Sequence, residues 1–277
     1  MFVMRVEGGL GNQLFMYCKA RDLQIRSGLK VALDASYFRQ EKRNTSGPNE
    51  EQFWLENYNI KYDKLITSPI FQRRKILGDL FEFYDDTDPE MEKLDDRPEN
   101  LDYHYLRGFW QDERLFKNNW HIIKDELTIK ERVESESLNQ IRAAEVSVGM
   151  SIRRGDFLRC DDRPTMSKNF YLHCAYMMLE HHPNAHFFLF SDDDEWVKEN
   201  IVSAIPRATQ VKRSICYKDL YILSQCNHHI IPNSTFSWWA AWMCEHPYKL
   251  VIGPDRWNNS HGKGNIMPKS WVRVDML

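Results

Sequence analysis

A chain of 277 residues with 37 basic and 40 acidic side chains has a formal net charge of −3, without the basic excess that broad nucleic-acid binding uses. That length suggests roughly two domains of about 150 residues, with a core that needs no staples, and Cys18, Cys160, Cys174, Cys216, Cys226 and Cys244 form no C-x-x-C pair, so they read as reduced thiols. The amino-terminal apolar run is too short for a signal peptide and no run reaches the ~18 residues of a membrane span, so a soluble protein is expected.

Residues 2–6 read as a strand running into Glu7-Gly8-Gly9-Leu10-Gly11-Asn12-Gln13, after which Leu14, Phe15, Cys18 and Ile25 share one helical face until Gly28. A strand, glycine turn and helix sets backbone N–H groups and a positive helix end against a ligand. The turn lacks a G-x-G-x-x-G fingerprint, and glycine also serves any turn needing positive φ. A second strand covers 30–34. Residues 36–100, with Pro48, Pro69, Pro89, Pro98 and the acidic run Asp85-Asp86-Thr87-Asp88, read as helices and long loops at the periphery. Alternation over 101–106 gives a strand that ends in Arg107-Gly108-Phe109-Trp110-Gln111, and 132–144 reads as a helix. The pattern restarts near Glu145, which sets two domains at 1–138 and 139–277.

In the second half, Val146 to Met150 form a buried strand ending in Ser151-Ile152-Arg153-Arg154-Gly155-Asp156. Tyr171, Cys174, Ala175 and Met178 mark one face of a helix ending near His182-Pro183. An apolar strand over 186–190 leads into Ser191-Asp192-Asp193-Asp194 and a short helix, and a further helix spans 218–226. A strand at 229–231 runs into Pro232-Asn233-Ser234-Thr235-Phe236-Ser237-Trp238-Trp239-Ala240-Ala241-Trp242, and a last strand covers 248–252. Near-continuous apolar strands alternating with helices predict parallel, doubly covered sheets.

Ligands of α/β sheets bind at the carboxyl ends of strands. Three such ends carry Arg153 with Arg154, Asp192 with Asp193, and residues 233–237 at a helix start. Paired guanidiniums suit phosphate oxygens in bidentate fashion, Asn233 or Ser234 is placed to cap the helix whose N–H groups bind an anion, and a carboxylate suits ribose or base donors. The set fits a nucleoside diphosphate. The ordinary alternatives are a surface ion pair between Arg154 and Asp156, a turn and helix cap at 192–194, and a core role for Trp238, Trp239 and Trp242. A divalent cation on the carboxylates ranks below the arginines and the helix end as the neutraliser of a diphosphate, and no histidine group has zinc spacing.

The motifs Gly8-Gly9-Leu10-Gly11-Asn12-Gln13-Leu14-Phe15, Gly108-Phe109-Trp110-Gln111, Ile152-Arg153-Arg154-Gly155-Asp156, Phe190-Ser191-Asp192-Asp193 and the run from Asn233 to Trp242 stand in an order that resembles the α-1,2-fucosyltransferases of glycosyltransferase family 11 over nearly the whole chain. The arginine motif alone is shared with α-1,6 and protein O-fucosyltransferases. The resemblance implies a GT-B-like α/β fold, two Rossmann-like halves with parallel sheets around a cleft, the first acceptor-side and the second binding GDP-β-L-fucose. It also implies inverting, metal-independent transfer of fucose to the 2-hydroxyl of a galactoside, with no cofactor. By the same resemblance Arg153 meets the β-phosphate, Arg154 lies beside it, Asp192 and Asp193 read the nucleoside, and Asn233, Ser234, Thr235, Phe236 and Ser237 hold the phosphates. Gly9, Gly11 and Asn12 face the donor from the first half. Asp156 and Asp161, with Asp162 beside it, are the acids considered for catalysis, Asp156 also as an orienter of an arginine. Ser151 stands where the family usually has histidine. The expected partners are GDP-fucose and a β-galactoside oligosaccharide, free or lipid-linked, handled in the cytoplasm or peripherally at the inner membrane, with no nucleic acid. The competing expectations are a transferase of another GDP-sugar and a catalytically silent nucleotide-sugar or glycan-binding homologue.

Overall fold

A computed structural model describes residues 1–39, 52–68, 81–86, 103–159, 163–258 and 264–276. The chain divides into two compact units, Met1–Glu131 and Arg132–Leu277.

The first unit is built on a parallel sheet ordered β3-β2-β1-β5-β4, with β1 Phe2–Arg5, β2 Val31–Asp34, β3 Lys64–Ile66, β4 Phe81–Asp85 and β5 Tyr103–Arg107. Central β1 is apolar and buried because neighbours flank it on both sides, with Val3 opposite Ala32 on β2 and Tyr105 on β5. Helix α1, Leu10–Ser27, follows β1 and ends at Gly28, whose φ of 72° is the left-handed conformation that closes helices. It is tied to α2, Trp120–Glu126, through buried Glu126, which accepts from the Tyr17 hydroxyl and pairs with Arg21 at 2.8 Å. Strands β3 and β4 lie in the region expected to be helices and loops. Each is short and sits away from β1 in the sheet order, where the long apolar runs of buried strands are not required.

The second unit has a parallel sheet ordered β11-β10-β9-β6-β7-β8, with β6 Ser147–Ile152, β7 His186–Ser191, β8 Ala208–Gln210, β9 His228–Ile230, β10 Val251–Pro254 and β11 Val272–Val274. Its helices are α3 Glu136–Ala143, α4 Lys168–His181, α5 Asp194–Val197, α6 Cys216–Ser224 and α7 Thr235–Met243. Ser135 caps α3 through the Leu138 N–H, which starts that helix later than the expected residue 132. A π turn, Lys198–Val202, continues α5. The predicted face of α4 (Tyr171, Cys174, Ala175, Met178) packs with Val148, Met150, Ile152, Phe187 and Leu189 in one core. Strands β8 and β11, three residues each, were not anticipated, and the strand expected over 248–252 starts only at Val251.

The five described cysteines are free, four of them buried; burial pushes the Cys174 thiol up to about 12. Among the described residues no helix is long and apolar enough to cross a membrane.

Candidate active site

In the second unit the chain runs outward from β6 in both directions, β7 on one side and β9 on the other, so the carboxyl end of β6 is the topological switch point where open α/β sheets bind ligands. Arg153 and Arg154 follow β6 at that point. Parallel register sets Ile152 opposite Ser191, which brings the next residues of both strands side by side. Arg153 Nη1 accordingly lies 2.8 Å from Asp192 and its Nη2 2.7 Å from Asp156. Arg154 donates from Nε to Asp193 at 3.0 Å, its backbone N–H donates to Asp192 at 2.8 Å, and its guanidinium lies 4.1 Å from the centre of the Trp196 ring. A Cβ on Gly155 would stand 2.9 Å from Asp192 Oδ2, so any larger residue there must push that carboxylate aside.

The carboxylates expected to read a nucleoside are therefore partners of the arginines. Asp193 also caps α5 by accepting from the Trp196 N–H at 3.2 Å, the turn-and-cap role considered for this stretch. Asp156 has the contact of an orienter, and Arg163 stands 3.9 Å beyond it. Arg153, Arg154 and Arg163 thus face Asp156, Asp192 and Asp193, three charges against three. Asp161 and Asp162 lie outside the described residues.

On the other side of the switch point, α7 begins after β9. Ser234 occupies the cap position, yet neither its side chain nor that of Asn233 caps the helix. Asn233 is instead turned into the fold, where its Nδ2 donates to the Trp257 carbonyl at 2.9 Å while its Oδ1 is buried without a hydrogen-bond partner among the described residues. The first turn of α7, with half-buried Ser234, Thr235 and Phe236, therefore has no side-chain cap on its N–H groups, which suits an anion. Ser237 is buried, and its hydroxyl lies 2.6 Å from that of Ser151 at the end of β6. Trp238 and Trp239 are fully buried, as core residues. At the far end Lys249 donates to the carbonyls of Ala241, Trp242 and Cys244 at 2.8, 3.0 and 2.8 Å, and burial lowers its pKa.

The first unit repeats the geometry: β1 is central, and the carboxyl ends of β1 and β5 form its switch point. Gly8 has φ 72° and exposed Gly9 starts α1 without a side-chain cap, whereas Gly11 is buried inside the helix. Asn12 accepts from Gln111 Nε2 at 2.9 Å, joining the glycine turn to the loop after β5. That loop turns at Gly108, φ 109°, where a Cβ would stand 2.3 Å from Asp86 Cγ. Asp86 accepts from the N–H of Phe109 at 2.8 Å and of Trp110 at 3.3 Å. Gln13 donates to the carbonyls of Gly8 and Gln52, both at 2.8 Å, and accepts from the Trp54 N–H at 2.9 Å. Gln13 and Gln111 are parts of the site that reasoning from strand ends missed, although both stand inside the motifs themselves.

Among the described residues no group of three or more His, Cys, Asp or Glu is placed to hold a metal ion.

The model of glycosyl transferase family 11 matches residues 2–274. The chain is 28% identical over 308 residues to an alpha-1,2-colitosyltransferase of Escherichia coli, covering 99% of this chain and 98% of that one. It is also 28% identical over 324 residues to the O-antigen biosynthesis glycosyltransferase WbnK of the same species, covering 97% and 99%. To the galactoside 2-alpha-L-fucosyltransferase SEC1 of Bos taurus it is 25% identical over 260 residues, covering 88% and 64%. Among solved structures, NodZ alpha-1,6-fucosyltransferase soaked with GDP-fucose superposes with a TM-score of 0.51 at 15% identity, covering 87% of this chain and 91% of that one. This is a likeness of fold, and with the two parallel α/β units it gives a GT-B-like architecture. With its motifs in order and the family match running almost end to end, the chain belongs to glycosyl transferase family 11 and is a glycosyltransferase.

Proposed function

We propose that the chain is an inverting galactoside α-1,2-fucosyltransferase, which moves L-fucose from GDP-β-L-fucose to the 2-hydroxyl of a terminal galactose during synthesis of a bacterial surface glycan such as O-antigen. The observation that carries this reading is Arg153 at the switch point beyond β6, with the uncapped first turn of α7 on the neighbouring strand. In the reaction the bond from fucose C1 to the β-phosphate oxygen breaks and a bond from C1 to the acceptor oxygen forms on the opposite face. The acceptor hydroxyl loses its proton and GDP leaves with the bonding pair. Arg153 and the N–H groups at the start of α7, with Ser234, Thr235 and Phe236, meet the negative charge that grows on GDP. Ser237 holds that turn through Ser151, and Arg154 fixes the loop beneath Arg153. No metal is invoked, since these groups supply the positive potential. Gly9 and Asn12 are assigned to the donor, and Asp161 is the acid proposed to take the proton, because Asp156 is committed to the guanidiniums of Arg153 and Arg163.

The acceptor is a β-galactoside oligosaccharide, free or lipid-linked, met in the cytoplasm or at the inner face of the membrane; the O-antigen relative supports that setting. The colitosyltransferase relative favours a second reading, transfer of a different GDP-activated sugar by the same residues. The test is turnover of GDP-fucose, GDP-colitose and GDP-mannose with lactose, with product linkage read by NMR. Removing one donor to a developing oxyanion costs about 10² to 10³ in rate, so Arg153→Ala is expected to abolish measurable transfer. Near-normal turnover in that variant refutes the donor site, and GDP binding without product from any donor indicates a silent homologue.

A further inference from the structure

The two carboxylates on Arg153 are not equivalent. Asp192 is held from both ends: Oδ2 takes Arg153 Nη1 at 2.8 Å and Oδ1 takes the Arg154 backbone N–H at 2.8 Å. Its side chain is 10% exposed and sits against Gly155, where a Cβ would be 2.9 Å away. Asp156 takes Nη2 at 2.7 Å from the solvent side, 42% exposed, and a second guanidinium, Arg163, waits 3.9 Å from its other oxygen. The Phe157 ring lies under both arginines, 5.7 Å from Arg153 and 5.5 Å from Arg163.

An exposed ion pair is worth little, whereas a carboxylate that is nearly buried and doubly bonded cannot leave without stranding its partners. A diphosphate offers more charge and more acceptor oxygens than a single carboxylate, and a guanidinium fork suits it. Exchange is therefore cheap on the outer nitrogen and costly on the inner one.

We infer that these carboxylates act on Arg153 with opposite sign. Asp192 is a positioning residue that keeps Nη1 and aims the guanidinium. Asp156 is a stand-in anion that holds Nη2 in the empty protein, gives it up to the donor diphosphate, and passes to Arg163. The inference rests on the proposed donor site and adds to it how the empty guanidinium is kept in place and which of its partners the ligand replaces.

Calorimetric titration of GDP at fixed ionic strength tests it. Asp156→Asn is expected to bind GDP about fivefold more tightly, the worth of one exposed pair, and to lower the donor KM. Asp192→Asn is expected to bind GDP about tenfold more weakly or worse, as for loss of a charge-assisted hydrogen bond, with a fall in kcat. In an Arg153→Ala background both effects disappear, which a general structural role of either acid would not produce. Asp194→Asn removes a neighbouring exposed acid and is expected to leave GDP affinity within about twofold. Weaker or unchanged binding in Asp156→Asn, equal tightening in Asp194→Asn, or full effects that persist without Arg153 each overturn the inference while leaving the donor site standing. A wild-type protein that binds no GDP overturns the donor site itself. Should Asp192→Asn fail to fold by circular dichroism, Gly155→Ala displaces the same carboxylate and is expected to weaken GDP binding; unchanged affinity there overturns the positioning role.

Discussion

The hydroxyls of Ser151 and Ser237 lie 2.6 Å apart in a buried contact that joins the end of β6 to the first turn of α7. Arginine loop and anion-binding turn thus share one hydrogen bond, and a shift of either strand end is felt by both.

Ser151→Ala removes one partner and leaves the Ser237 hydroxyl buried without it, a loss of about 1 to 3 kcal/mol. The expected result is a lower thermal midpoint together with weaker GDP binding, because the turn is no longer tied to the arginine loop. A variant with unchanged GDP affinity makes the contact purely structural.

Arg154 is held by Asp193 through Nε and by the face of Trp196. Arg154→Lys keeps the charge but loses the planar stack, worth about 0.5 to 2 kcal/mol. Thermal denaturation is expected to show that loss, while GDP affinity changes by less than about threefold, under 1 kcal/mol. A tenfold weakening would make Arg154 a ligand contact.

Lys249 satisfies three carbonyls at the end of α7. Lys249→Met retains the aliphatic bulk and strands those acceptors, so urea unfolding is expected to report a loss of about 2 kcal/mol or more. No loss would mean that water replaces the ammonium without cost.

Acid destabilises the second unit through its histidines. Burial, with His182 and His246 nearby, lowers the His228 pKa to about 4, and burial with Lys249 nearby lowers that of His229 to about 3. Both are neutral in the folded chain at pH values where the unfolded chain, with a histidine pKa of about 6.5, takes up protons. Their contribution is full above about pH 6.5 and falls as pH drops towards 4, by about 1.4 kcal/mol per histidine per pH unit. Asp219 works in the opposite sense, since burial raises its pKa to about 6 and the folded state binds that proton first. Two histidines outweigh one acid, so denaturation midpoints are expected to fall between pH 6.5 and 4. His229→Phe is expected to remove most of the decline below about pH 6, where the opposite contribution of Asp219 offsets that of His228; an unchanged slope removes His229 from the account.

Much of this was legible in the chain because the cues are local. Gly28 ends α1 through its own backbone conformation, and the spacing of Tyr171, Cys174, Ala175 and Met178 names the buried face of α4 without reference to anything distant. The partners of Arg153 and Arg154 were not legible in the same way, since Asp192 and Asp193 reach them only through the register of β6 with β7. Asn233 reads as a cap from its place before a helix, and only the carbonyl of Trp257, far along the chain, turns it inward. Strands such as β8 and β11 are three residues long and carry no periodic signal that short windows can resolve.

Gln13 never needs to meet a sugar or a nucleotide to govern where one sits. Its amide gives both protons to backbone oxygens at Gly8 and Gln52 and takes one from Trp54, so three main-chain points are fastened by one side chain. Glutamate, nearly the same shape, would turn oxygen towards oxygen at two of those points, and asparagine would fall short by a methylene. An otherwise conservative exchange there would unseat the glycine turn while every glycine remained in place.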